Sequence, residues 1–401
     1  MKNRFPLAIA SVTIFFTAFG CQKPARRALG PPEYDKALPP GQLALRKITN
    51  PADIPDFTDA CHNPANLSAA IDNSLNYLKK PSSQRFYPYG DITHQDIVRS
   101  LTAFKDLLAS GLTGRQLNDA IRQRFDVYES VGCDNAGTVL FTGYYTPIFD
   151  GSPVETEQFK YPLYRQPDDL VKDENGRILG RQAPDGSISP YPARAEIENT
   201  NMQAGSEIVW LDDPFKVYVT HVQGSVIIRM SDGRLVTYSY AANNGREYVA
   251  INKILVSEGK IPSERVNLDS MIAFFRANAS LVKHYTQLNP RFVFFRKTPP
   301  NEKPRGSLNE PVTPYRSVAT DKSIFPRAAP VFFATKLPRR IGTTTYIDPF
   351  SGFALDQDTG GAIRAAGRCD IYLGIGDEAG KLAGQTYQEG RLYYLFLKPN
   401  F

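Results

Sequence analysis

The chain has 401 residues, 42% hydrophobic and 22% charged, enough apolar content to exclude wholesale disorder, and its length sets a prior of about two or three domains. Its 47 Lys and Arg against 41 Asp and Glu leave a formal charge of +6. The two signs are interspersed, which argues against a nucleic-acid partner. Four scattered cysteines and four distant histidines (His62, His94, His221 and His284) give no metal-ligand spacing, and no glycine-rich nucleotide loop occurs, so no metal and no cofactor is expected.

Residues 1 to 20 carry Lys2 and Arg4, an apolar stretch from Phe5 to Phe19 and then Gly20, the pattern of an export signal too short to be a spanning helix. The cysteine that follows, Cys21, resembles the lipid-bearing residue of a bacterial lipobox, although Ala18 and Phe19 depart from the usual pattern and an ordinary cleaved signal is the competing reading. Gln22 and Lys23 lack the aspartate that retains lipoproteins at the inner membrane, so the resemblance implies an outer-membrane lipoprotein facing the periplasm. Residues 21 to 55 are rich in proline and turn formers and read as a tether that does not pack. Cys61 and Cys133 are close enough in type and compartment to be a candidate bridge, but spacing does not fix connectivity.

Apolar Leu67, Ile71, Leu75 and Leu78 recur at helical spacing, as do Ile97, Leu101, Phe104 and Leu108 after a cap at Thr93, and Leu117, Ile121 and Phe125 after Thr113. From Val139 the pattern changes to short strands: VLFTGYY, the alternating KVYVTHV, SVIIRM and RLVTYSYAA, with SDG between the last two as a hairpin turn. Helices are predicted from about Tyr248 to Glu258 and from about Leu268 to Gln287, then a strand in NPRFVFFR. The segment KTPPNEKPRGSLNEP reads as a boundary or exposed loop. Strands return in PVFFATK, TTTYID, FALDQD, DIYLGI and LYYLFLK. The whole is mainly β with amino-terminal helices.

The densest chemistry lies between Phe353 and Ala383, where Asp356, Asp358, Asp370, Asp377 and Glu378 alternate with six glycines. Glycine lets backbone approach a ligand, and turn amides left free can bind substrate oxygens. Asp370 is flanked by Cys369 and Ile371-Tyr372-Leu373, so desolvation and a nearby Asp358 would both raise its pKa toward the range of a general acid. The bland alternative is that these acids cap turns. Asp358-Thr359-Gly360 also matches the aspartic-protease tripeptide, but no second copy occurs, so a protease would have to be a dimer.

Several ordered motifs carry a stronger resemblance. FTGYYTP at 141 to 147, YPLYR at 161 to 165, HVQGS at 221 to 225, YAANNGREY at 240 to 248, NPRFVFF at 289 to 295, SVATDKSIFP at 317 to 326, and the terminal DTGGAI, DIYLGIG and EAG resemble the membrane-bound lytic murein transglycosylase A family over residues 60 to 401. The resemblance implies a double-psi β-barrel with a carboxy-terminal 3D-type segment, built from residues 56 to 146 and 299 to 401, and a second β domain inserted at 147 to 298. It implies cleavage of peptidoglycan glycan strands at the β-1,4 bond between N-acetylmuramic acid and N-acetylglucosamine, giving a 1,6-anhydro product. By motif match Asp370 is the catalytic acid and then base, and Asp358 the supporting carboxylate, although the stretch between them is one residue longer than the family form. The substrate-binding candidates are Tyr144, Gln223, Ser225, Asn243, Asn244, Gly360, Gly361 and Tyr372. Tyr144 and Tyr145 point to opposite faces of a strand, so only one of them lines a given groove. A non-catalytic peptidoglycan-binding barrel is the alternative.

Overall fold

The computed structural model describes residues 32 to 401 apart from 175, 264, 265, 300 and 301. The export and lipidation assignments, Cys21 included, lie outside the described residues. In chain order the elements are β1 (Leu45–Lys47), α1 (Thr58–Cys61), α2 (Leu67–Leu78), α3 (His94–Ala109), α4 (Gly114–Arg124), β2 (Phe125–Ser130) and β3 (Val139–Thr146). Then come β4 (Ile148–Ser152), β5 (Tyr161–Tyr164), β6 (Leu170–Lys172), β7 (Ile178–Gln182), β8 (Ile188–Ser189), α5 (Arg194–Asn199), β9 (Glu207–Leu211), α6 (Pro214–Gln223), β10 (Ser225–Arg229) and β11 (Leu235–Asn243). Helices α7 (Ile251–Ser257), α8 (Leu268–Ala277) and α9 (Val282–Gln287) lead to β12 (Val293–Lys297) and β13 (Ser317–Ala319). The chain ends with β14 (Pro330–Ile341), β15 (Thr344–Asp358), β16 (Arg368–Ile375), α10 (Gly376–Gln385) and β17 (Tyr387–Leu397).

Six strands close on themselves in the order β3-β17-β14-β15-β13-β16, because β17 pairs with both β14 and β3, and β16 runs parallel to β3. Closure leaves these strands no free edge. The mainly β class and a closed barrel are therefore present. Strand β2 continues from the far end of β17, and β1 adds to β2. The described part of the stretch read as unable to pack, residues 32 to 55, is laid against this sheet: Ala44 and Leu45 are buried and the Tyr34 hydroxyl donates to Glu389. Its short apolar run Leu43-Ala44-Leu45, too brief to show periodicity, supplies the contact.

The three amino-terminal helices form where the apolar spacing places them. Thr93 caps α3 through the Asp96 amide, and the Asp96 carboxylate accepts from the Thr93 amide, a reciprocal box that satisfies two orphan donors. Their inward residues, among them Ile71, Leu101, Phe104 and Ile121, share one core with the barrel residues Phe332, Phe353 and Tyr394. Cys61, Cys133 and Cys369 are all free thiols, so Cys61 and Cys133 are not bridged; Cys61 lies in that buried core, while the half-buried Cys133 packs against Gly367.

A second sheet, ordered β12-β11-β10-β4-β9-β5, has its own apolar core of Leu163, Val209, Val226, Ile228 and Phe295, and an isolated bridge between Arg165 and Phe295 brings its two edges together. The SDG turn joins β10 to β11 as an antiparallel pair. KVYVTHV is helical, not extended: Asp213 caps α6 by accepting from the Phe215 amide, Pro214 occupies its first turn, and Gly224 ends it at a φ of +76°. His221 thus sits on a helix. The expected helix from Leu268 to Gln287 is broken at Asn278 into α8 and α9. TTTYID and FALDQD are one strand, β15, paired along β14 through twelve registered positions.

Candidate active site

The barrel and the second sheet border a cleft of about 520 Å³. Strand β3 contributes its floor. Thr142 and Tyr144 project from one face, while Gly143, between them, projects from the other, where a Cβ would meet Leu373 and the Ala383 backbone of α10 at 2.7 and 2.9 Å. Tyr145 also turns away, its ring against Gly380 of that helix. Of the tyrosine pair, Tyr144 lines the cleft and Tyr145 is core, as the alternation of a strand requires. FTGYY therefore encodes a strand with a ligand face and a helix-packing face.

Parallel pairing of β3 with β16 sets Thr142 opposite Asp370 and Tyr144 opposite Tyr372. The Thr142 hydroxyl donates to Asp370 Oδ1 at 2.9 Å, and the Tyr144 and Tyr372 rings are 5.1 Å apart. The Asp370 carboxyl has no other hydrogen bond among the described residues. Burial raises its pKa to about 6, against the opposing charge of Arg368 and the Thr142 bond and with help from the charge of Asp358. Asp370 is half-buried and is not itself among the residues that line the cleft; Tyr372, two positions along the same strand, is.

Asp358 lines the cleft at the end of β15. Its Oδ1 accepts from the Ser307 and Thr359 amides at 2.7 and 2.8 Å, and its Oδ2 from the Tyr144 hydroxyl at 2.9 Å. Burial pushes its pKa upward although these three donors and the Lys322 ammonium favour the carboxylate. The two acids differ in kind: Asp358 is held by three donors, Asp370 by one. An under-solvated carboxyl with a free oxygen is the better proton donor, and a fully bonded one the better fixed charge.

Beneath them is an ion pair that the sequence reading did not find. Asp356 is fully buried and Lys322 nearly so; the ammonium donates to Asp356, which also accepts from the Thr320 hydroxyl at 2.9 and 2.8 Å and from the Tyr394 hydroxyl at 2.8 Å. Asp321 holds the turn above through the Ala365 amide at 2.9 Å. The motif SVATDKS is the platform of the site, a role legible only once β13 is known to lie between β15 and β16. Arg368, two residues from Asp370, was likewise missed, as was Thr142.

The other expected residues divide. Gly360, Gly361, Tyr372, Ser225 and Gln223 line the cleft. Tyr372 donates to or accepts from the Thr146 hydroxyl at 3.0 Å, which lies 3.2 Å from that of Ser225. Gln223 ends α6 and accepts the Tyr145 amide at 3.1 Å, fastening the second sheet's helix to the barrel strand. Asn243 and Asn244 are not among the residues that line the cleft. Both are buried away from the cleft, and Asn244 spends its side chain on the Pro192 and Pro290 carbonyls and the Phe292 amide. Asn243 accepts from the Gly245 amide and donates to the Tyr240 hydroxyl. Asn-Asn-Gly is a turn chemistry, and the amides serve the turn. Buried His221 accepts from Arg194 at 3.1 Å and is kept neutral by burial and by that cation. The polar 298 to 312 segment is not a mere exposed linker: Arg305, Gly306, Ser307, Asn309 and Val312 form a wall of the cleft.

Known proteins share this arrangement. The MltA specific insert domain matches residues 140 to 296 and the 3D domain residues 316 to 396. A membrane-bound lytic murein transglycosylase A of Vibrio cholerae is 31% identical over 271 residues, 67% of this chain and 68% of that protein. The protein of the same name from Escherichia coli K12 is 29% identical over 361 residues, 88% of each. Among solved structures, Escherichia coli MltA with bound chitohexaose superposes with a TM-score of 0.65 at 26% identity, covering 94% of this chain and all of that one. A membrane-bound lytic murein transglycosylase from Agrobacterium tumefaciens shares the fold with a TM-score of 0.73 at 24% identity, over 88% of this chain and 98% of its own. The insert, the barrel and the aspartate-bearing strands thus recur together, and the chain belongs to the membrane-bound lytic murein transglycosylase A family.

Proposed function

We propose that this chain is a peptidoglycan lytic transglycosylase that breaks the β-1,4 bond between N-acetylmuramic acid and N-acetylglucosamine and leaves a 1,6-anhydro end, with Asp370 as the acid and then the base. The observation that carries the assignment of roles is the contrast between Asp370, half-buried with a pKa raised to about 6 and a single hydrogen bond, and Asp358, bound by three donors at the cleft surface.

A hydrolase of glycosides ordinarily needs two carboxyls, because a nucleophile or a water must be managed by the second. Here the attacking group is the sugar's own C6 hydroxyl, held in place by the ring, so intramolecularity replaces the second catalyst. Protonated Asp370 gives its proton to the departing glycosidic oxygen. As carboxylate it then takes the C6 hydroxyl proton while that oxygen bonds to C1, which restores the acid. Positive charge growing at C1 is eased by the Asp358 carboxylate, which the Ser307 and Thr359 amides and the Tyr144 hydroxyl hold in place. Tyr144, Tyr372, Gln223 and Ser225 offer ring faces and polar groups suited to sugar. That a relative binds chitohexaose supports a glycan in this cleft.

The domain division at 147 and 298 belongs to this reading: strands on either side of that segment complete the barrel, whereas the segment's own sheet has a separate core. So does attachment to a membrane through lipid on Cys21, at the outer membrane and facing the periplasm. The relatives are named membrane-bound, and no helix among the described residues is long and apolar enough to cross a membrane. Incubation with purified murein sacculi tests the activity. Mass spectrometry should find anhydro-muropeptides, and Asp370→Asn should release none while retaining its fold. Hydrolysed, reducing ends, or near-normal release by that variant, would sink the assignment.

A further inference from the structure

Four arginines and one acid, Asp358, are the charged residues that line the cleft. Two of the arginines are engaged: Arg296 donates to the Asn309 side chain, and Arg305 pairs with Glu302 and donates to the Asn309 carbonyl. The other two are not. Arg291 has one side-chain bond among the described residues, from Nη1 to the Arg246 carbonyl at 3.2 Å, and forms no ion pair. Exposed Arg364 has neither a hydrogen-bond nor an ion-pair partner among the described residues.

These two cations face one turn. Arg291 lies directly over Gly361, where a Cβ would come within 3.0 Å of its Nε and 3.2 Å of its Cδ. Arg364 leaves the same turn three residues later, just past the Ile363 amide that closes it onto the Gly360 carbonyl at 3.2 Å. Burial foremost, and then the charge of Arg364, lower the Arg291 pKa against opposing contributions from Tyr240 and Glu247. Glu247 acts on it only from beyond ion-pair distance. A partly desolvated guanidinium beside a second one, with no carboxylate between them, is an incomplete arrangement that a planar anion completes with charge-assisted, bidentate bonds.

We propose that Arg291 and Arg364 form an anion subsite in the cleft wall beside the Asp358 turn, which takes a carboxylate carried by the muramic acid residue of the glycan. The proposal rests on the peptidoglycan reading for the ligand's identity. The carboxylate has two chemical sources: the free lactyl group of a muramic acid stripped of its peptide, or a side carboxylate of the stem peptide, in which case the lactyl group is an uncharged amide.

The test measures binding to the full chain carrying Asp370→Asn, so that no ligand is consumed, with and without Arg364→Gln. Arg364 is exposed and unbonded, so this change leaves the fold intact. Three ligands of matched length are compared: peptide-bearing glycan, amidase-stripped glycan, and a neutral chitooligosaccharide. Loss of a charge-assisted contact should weaken one anionic ligand about tenfold at low salt and leave the neutral one within twofold. Loss confined to the peptide-bearing ligand identifies the stem as the source; loss confined to the stripped ligand identifies the lactyl group. Raising salt should erase the difference. Unchanged affinity for both anionic ligands, or equal weakening of the neutral one, overturns the subsite. Failure of the parent chain to release anhydro products would sink the reaction instead, and the binding comparison would still stand on its own.

Discussion

Asp358 and Asp370 share a single neighbour: each is registered opposite Ala319, the first across a parallel pairing and the second across an antiparallel one. With strand spacings near 4.8 Å, that places their backbones roughly 9–10 Å apart, on either side of one small residue. The charge of Asp358 raises the cost of ionising Asp370. The proposed division of labour is accordingly an acid and a fixed charge.

The first prediction concerns pH. If Asp370 must be protonated to assist departure, kcat/KM on soluble glycan falls above about pH 6, the value to which burial raises it. Arg368 opposes that rise and Asp358 adds to it. Arg368→Gln should move the alkaline limb to higher pH and Asp358→Asn to lower pH, the latter also slowing the reaction. Steady-state pH profiles of the three proteins decide it, and limbs that move together would remove Asp370 from the acid's role.

Stability gives an independent reading of the same group. The folded protein holds a proton on Asp370 between about pH 4 and 6 that the unfolded chain has already lost, so stability declines as pH rises through that window. Asp370→Asn removes this penalty. Thermal or urea melts should show the variant more stable than the parent by about 1–3 kcal/mol at pH 7.5 and no more stable at pH 3.5. A gain that persists in acid would mean that charge burial is not its source.

Lys322→Met should be severe. It strips the cation from fully buried Asp356 and leaves two hydroxyl donors for a charge, a situation that costs about 3–5 kcal/mol. Adding Asp356→Asn to the same chain should recover part of the loss. Urea titrations of both single variants and the double variant measure the coupling, and strictly additive losses would count against a buried pair.

Gly143→Ala tests how closely α10 lies on the barrel. The new methyl would press on Leu373 and on the Ala383 backbone, which cannot swing aside as a side-chain tip can. Overpacking of this kind costs about 1–3 kcal/mol. Because Thr142 and Tyr144 flank this position, a fall in activity larger than the fall in folded fraction is also expected.

How much of this was legible in the sequence depended on the range of the interaction. Local signals spoke clearly: the Thr93 box, the apolar spacing of α2 to α4, and the SDG hairpin are decided within a few residues. The helical state of α6 is itself encoded locally, since Asp213, Pro214 and Gly224 are start and stop signals that outrank a short alternation. Asp370 and Asp358 were legible as candidates by motif, and the tyrosine faces by strand parity. Thr142, Lys322 and Arg291 were not, because each meets its neighbour only across the fold, at Asp370, Asp356 and Gly361. Asn243 and Asn244 show the opposite case: polar residues in a motif whose amides are engaged in a turn.

Strand β17 has a further consequence for how the molecule comes into being. Its first residues, Tyr387 to Gly390, seal the seam against β3, and its later ones hold β14 and β2. The ring cannot close without β17, so the barrel half stays open-edged until that strand has docked. The interposed sheet, contiguous from Ile148 to Lys297, has no such dependence and is able to mature first. Assembly of the enzyme thus runs from its middle outward, and the barrel closes only at the last step.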